Sequence, residues 1–117
     1  MLIRIDPADR AALHEQVAAS VRGAVRSGEV GPGERLPTAR DVAASLDINM
    51  HTVLRAYQTL RDEGVIELRR GRGAVVADNA ATTAALADAV DHVLDVARRH
   101  GVSTESLIQT INERSSR

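Results

Sequence analysis

The sequence predicts a mainly α fold carrying one short β hairpin, and three observations lead there. Apolar residues recur at helical spacing in five separate stretches of the 117 residues. Gly28, Gly64 and Gly101 fall where three of these stretches end. The β-prone runs Val65 to Leu68 and Ala74 to Ala77 are separated by Arg69-Arg70-Gly71-Arg72-Gly73, a basic, glycine-rich hairpin tip. The order is therefore three helices, a two-stranded hairpin and two further helices. Phe and Trp are absent and Tyr57 is the only aromatic, so Ala, Val, Leu and Ile must build the core. That composition favours close-packed helices over a roomy pocket.

Met1 to Pro7 reads as an extended lead-in with Ile3 and Ile5 on one side. Asp9 is placed to cap a first helix that runs to about Ser27, with Leu13, Val17, Val21 and Val25 as its buried stripe and Ala24 beside them. Gly31-Pro32-Gly33 is a turn, and Pro37 closes an extended segment after Leu36. Thr38 caps a short second helix, roughly Ala39 to Ser45, whose Val42, Ala43 and Leu46 face inward. Asp47 occupies the turn, since Asp tolerates left-handed backbone better than most residues. Asn49 caps a third helix from Met50 to Glu63, with Val53, Ala56, Tyr57 and Leu60 as its apolar face. After the hairpin, a fourth helix runs from about Ala80 to His100, and Ser103 caps a fifth.

Composition removes several function classes. With no cysteine, disulfides and thiolate metal sites are excluded. All positive side chains are Arg, so lysine chemistry, including a Schiff base to pyridoxal phosphate, is excluded as well. No phosphate-binding G-x-x-x-x-G-K loop, nucleophile triad or paired-carboxylate site is visible, and no enzyme is expected. No apolar run approaches the roughly 20 residues that span a bilayer, and a signal-peptide pattern is lacking. A cytoplasmic protein without cofactor or membrane partner is expected. Residues 1–77 hold 11 Arg against 10 acidic residues, and residues 78–117 hold 4 against 6.

The stretch from Leu13 to Val76 resembles the DNA-binding domain of GntR-type bacterial transcription regulators, a winged helix-turn-helix. The matching marks are Leu13-x-x-Gln16-Val17, Gly28, Pro32-Gly33, Leu36-Pro37-Thr38-x-Arg40-x-Val42-Ala43, Thr52-Val53-x-Arg55-Ala56-Tyr57, Leu60, Gly64-x-Ile66 and Gly71-x-Gly73-x-x-Val76. The short two-helix tail looks like that of the YtrA subfamily. Four departures stand out: Thr38 replaces the usual Ser, Asp47 the usual Gly, Met50 stands where many relatives carry Arg, and Leu54 where some do. The resemblance implies residues 1–77 as the DNA-binding domain and residues 78–117 as a helical segment for dimerisation. It also implies a homodimeric repressor on a pseudo-palindromic, double-stranded operator. An alternative is a sensor whose tail holds a small-molecule or metal effector that releases DNA.

The residues expected to meet DNA follow from this. The start of the third helix offers backbone N–H groups with Asn49, His51, Thr52 and Arg55, while Arg40 lies in the preceding helix and Thr38 at its cap. Arg70, Arg72 and Gly73 of the hairpin suit a minor groove or phosphates, with Arg35 a further phosphate candidate. In the tail, Leu86, Val90, Val93, Leu94 and Ala97, then Leu107, Ile108 and Ile111, form stripes expected to meet a second copy. Asp88, Asp91, His92 and Asp95 share one helix face; a solvated stripe is expected there rather than a metal site.

Overall fold

The computed structural model describes residues 1–116, so the tail segment assigned to 78–117 ends one residue beyond the described part. Seven elements follow in order: α1 (Leu13–Ser27), α2 (Ala39–Leu46), α3 (Met50–Asp62), β1 (Ile66–Arg69), β2 (Gly73–Val76), α4 (Ala80–Arg99) and α5 (Thr104–Ser115). The chain divides into two compact units, Met1–Ala85 and Leu86–Arg117.

The first unit is built on the apolar stripes of its helices. Val17, Val21, Ala24 and Val25 of α1 pack with Val42 and Ala43 of α2 and with Val53, Ala56, Tyr57 and Leu60 of α3. Val65, Ile66 and Val76 of the hairpin join the same core, as do Ala80 and Ala84 at the start of α4. Buried Ile3 and half-buried Ile5 bring the N-terminal segment onto this core. Its backbone is tied down by Ser20 Oγ, which accepts from Arg4 N, and by Gln16 Oε1, which accepts from Asp6 N at 2.6 Å.

The start of α1 departs from expectation. The helix begins at Leu13, and its N-cap, Ala12, offers no side-chain hydrogen bond. The Asp9 carboxylate instead accepts from Ala11 N and that of Asp6 from Ala8 N, so each acid is consumed in its own tight turn. The helix end is as expected: Gly28 takes φ +80°, and its N–H donates to the Val25 carbonyl.

The hairpin is a two-stranded antiparallel sheet with Ile66 opposite Val76 and Arg69 opposite Gly73. Both strands lie one residue from the runs expected from sequence. A third short edge lies along β2: Gly33 N donates to Val76 O, Val76 N to Glu34 O and Leu36 N to Ala74 O. The segment leading into α2 is thereby pinned to the hairpin. Within the second unit, Ser103 Oγ accepts from Ser106 N and caps α5. Val102 N donates to Ala97 O across the turn between the two helices.

Candidate nucleic-acid interface

The turn between α2 and α3 is short and fully specified by local chemistry. Thr38 Oγ1 accepts from Asp41 N at 3.1 Å and starts α2. Asp47 closes it in the left-handed region at φ +55°, and both Asp47 N and Ile48 N donate to the Ala43 carbonyl. Asn49 Oδ1 then accepts from His51 N at 2.8 Å and starts α3. Two capped helices thus meet through three residues, with the N-terminus of α3 turned to an exposed surface. Asn49, Met50, His51, Leu54, Arg55 and Gln58 are exposed and Thr52 is half-buried. The first turn of α3 contains no acidic residue. Arg40 is exposed on α2, and Thr38, its hydroxyl engaged in the cap, is exposed before it.

Two interactions hold this pair of helices against the rest of the unit, and neither was foreseen from sequence. Tyr57 Oη donates to the Pro37 carbonyl at 2.6 Å, fastening α3 to the residue before the α2 cap. Burial pushes the Tyr57 phenol up to about 12, so the donor form persists through neutral pH. Arg22 of α1 makes a bidentate pair with Glu63 at the end of α3, with both N–O distances 2.8 Å. Arg22 lies among the buried residues of α1, and its place next to Val21 of the apolar stripe was the one sequence signal of a partnered charge. Its partner is 41 residues away and could not be named from sequence.

The hairpin tip gathers three of the expected residues. Arg35 Nε donates to the Arg72 carbonyl at 2.7 Å, and a Cβ added at Gly73 would lie 4.0 Å from that nitrogen. Arg72 Nη2 reaches back to the Gly33 carbonyl in a long contact of 3.4 Å. Gly71 and Gly73 take φ +79° and +73°, which lets the tip turn sharply without a Cβ clash. Arg70 and Arg72 are exposed, whereas Arg69 is engaged by Glu67 of its own strand at 2.7 Å.

In the second unit, Leu86, Val90, Ile108 and Ile111 are exposed. Val93, Leu94 and Leu107 are half-buried, and Ala97 is buried. Asp95 pairs with Arg99 at 3.2 Å. Among the described residues no three His, Cys, Asp or Glu side chains are grouped to hold a metal ion. No described helix is long and apolar enough to cross a membrane.

Residues 13–76 match the family of bacterial regulatory proteins described as the gntR family. Over 121 aligned residues the chain is 32% identical to the HTH-type transcriptional repressor YtrA of Bacillus subtilis, covering 98% of this chain and 93% of that one. It is 36% identical over 101 residues to the transcriptional regulator Rv1152 of Mycobacterium tuberculosis, covering 86% and 84% of the two chains. Among solved structures it resembles YtrA from Sulfolobus acidocaldarius, a GntR-family transcription factor, with TM-score 0.64, 32% identity and coverage of 81% of this chain and 99% of that one. The chain belongs to the GntR family, as a short DNA-binding transcription regulator of the YtrA type.

Proposed function

We propose that the chain is a homodimeric repressor that sets the N-terminal half of α3 into the major groove of each half of a pseudo-palindromic operator. The carrying observation is the outward side of α3, exposed from Asn49 to Gln58 and free of carboxylates, while its inward side is buried in the core. Asn49, His51, Thr52 and Arg55 face base edges or flanking phosphates in this arrangement, and Thr38 from the α2 cap and Arg40 from α2 join them. Arg70, Arg72 and Gly73 follow the sugar–phosphate backbone or minor groove, with Arg35 bracing the tip beside them. The exposed apolar side chains Leu86, Val90, Ile108 and Ile111, with Val93, Leu94, Ala97 and Leu107, form the dimerisation surface. Repression fits the role of the similar B. subtilis protein, a transcriptional repressor.

Fluorescence anisotropy with a duplex from the chain's own promoter region, against a scrambled duplex at two salt concentrations, tests the proposal. Tighter promoter binding that persists as salt rises is the expected result. Arg40→Ala should weaken promoter binding by about 1–3 kcal/mol and relax selectivity at one position of each half-site. Equal binding of both duplexes with a steep salt dependence would overturn sequence-specific recognition.

A further inference from the structure

The exposed side of α3 is not uniformly polar. Met50 and Leu54 are 37% and 38% exposed, and their spacing of four residues places them on one strip of the helix. His51 and Arg55 lie immediately beside that strip. Both apolar side chains lie outside the buried core. Its buried residues from α3 are Val53, Ala56, Tyr57 and Leu60, and Met50 and Leu54 are not among them.

Neither side chain can make a strong hydrogen bond to a base edge. Guanine, adenine and cytosine present donors and acceptors in the major groove, while thymine adds one apolar group, its C5 methyl. The charges around the strip suit a polyanion such as DNA and disfavour a basic partner: Arg55 adjoins it, and the first turn of α3 carries no acidic residue. We propose that Met50 and Leu54 form an apolar contact for thymine methyl groups in each half-site and so set part of the sequence preference. Unbranched Met adapts to the groove and Leu gives a stiffer wall beside it. The proposal rests on α3 being the helix that enters the groove.

The test begins by enriching duplexes from a random pool on the full-length protein. Each thymine of the enriched duplex is then replaced by deoxyuridine, which removes only the methyl group, and affinity is measured by anisotropy. One or two positions per half-site should lose about fourfold per methyl, the effect of withdrawing one buried carbon from apolar contact. At those positions Leu54→Ala or Met50→Ala should bind thymine and deoxyuridine duplexes equally. The base replacement leaves the protein untouched, so the test stands even if a variant folds poorly. An enriched duplex that binds equally well with every thymine replaced overturns the methyl contact and leaves the DNA-binding reading intact. A Leu54→Ala variant that changes self-association but not methyl dependence assigns the strip to a second copy and also overturns it. Failure to enrich any sequence overturns the reading of α3 itself, and the methyl contact with it.

Discussion

The two units differ in how much of their own apolar surface they bury. In the first, Val17, Val21, Val53, Leu60, Val65 and Val76 are wholly inaccessible to solvent. In the second, Ala97 is the buried hydrophobic among the described residues, and α5 contains no buried residue. The second unit does have local helix chemistry: the Ser103 cap and the Asp95–Arg99 pair one turn apart. Caps and pairs of this kind contribute only fractions of a kcal/mol up to about 1 kcal/mol each, and a helix as short as α5 is marginal in water on its own. The lesson is a division of labour: the first unit carries its stability internally, whereas the tail has no cover of its own for Leu86, Val90, Ile108 and Ile111. In the proposed dimer that cover is the same surface of a second chain.

The sharpest way to break this contrast is to empty one site in each unit. Leu60→Ala should cost about 2–5 kcal/mol, through lost transfer energy and the cavity left behind. Ile108→Ala should change stability by no more than about 0.5 kcal/mol when unfolding is followed below the dimer dissociation concentration. It should nevertheless raise the dissociation constant measured by sedimentation. Urea denaturation compares the two variants directly. Equal losses from both would mean that the tail buries a core of its own.

Alkaline pH probes the first unit alone, because Tyr57 is the only tyrosine and the chain has no lysine or cysteine. The folded phenol titrates near 12 because it is buried, against an ordinary value of 10.0. Its hydrogen bond to the Pro37 carbonyl requires the proton as well. Raising the folded value stabilises the fold fully below pH 10, where both states are protonated. From pH 10 to about 12 the unfolded chain loses the proton first, and roughly 2–3 kcal/mol of stability is lost across that window. Tyr57→Phe should abolish this alkaline loss while costing about 1 kcal/mol at neutral pH. Phenolate absorbance and denaturation midpoints at stepped pH check both parts. A Tyr57 that ionises near 10 in the folded protein would mean that the α3-to-Pro37 fastening is loose.

The same division governs how much was legible in the sequence. Thr38, Asn49, Ser103 and Gly28 act on backbone within three residues of themselves, so their roles follow from residue type and spacing. Asp9 was misassigned because a carboxylate close to several N–H groups chooses among them by turn geometry that residue type does not specify. Strand limits moved by one residue because a ladder's ends depend on which partner atoms meet, and β2 has partners on both edges. Pairings between distant positions, Arg22 with Glu63 and Tyr57 with Pro37, were invisible for the same reason. For the candidate interface, the helix start, the hairpin tip and their exposure were readable. The engagement of the Arg35 side chain with the tip backbone was not.

That engagement allows a finer contrast within the first unit, between a residue that would touch DNA and one that would hold it in place. Arg72 is exposed on the tip, whereas Arg35 spends its Nε proton on the Arg72 carbonyl. If Arg72 meets a phosphate, Arg72→Ala should weaken binding about tenfold and flatten the salt dependence by about one unit. Arg35→Ala should weaken binding less, by roughly threefold to fivefold, because the tip loses its brace but keeps its charge. The two effects should not multiply: in an Arg72→Ala background, removing Arg35 should change affinity by less than about twofold, since the contact it served is gone. Arg35→Lys should restore little, because a lysine ammonium lacks the rigid planar fork that aims the guanidinium Nε at the tip. Anisotropy titrations of the two single variants and the double variant complete the cycle. Multiplying effects, each with its own drop in salt slope, would instead give Arg35 a phosphate contact of its own.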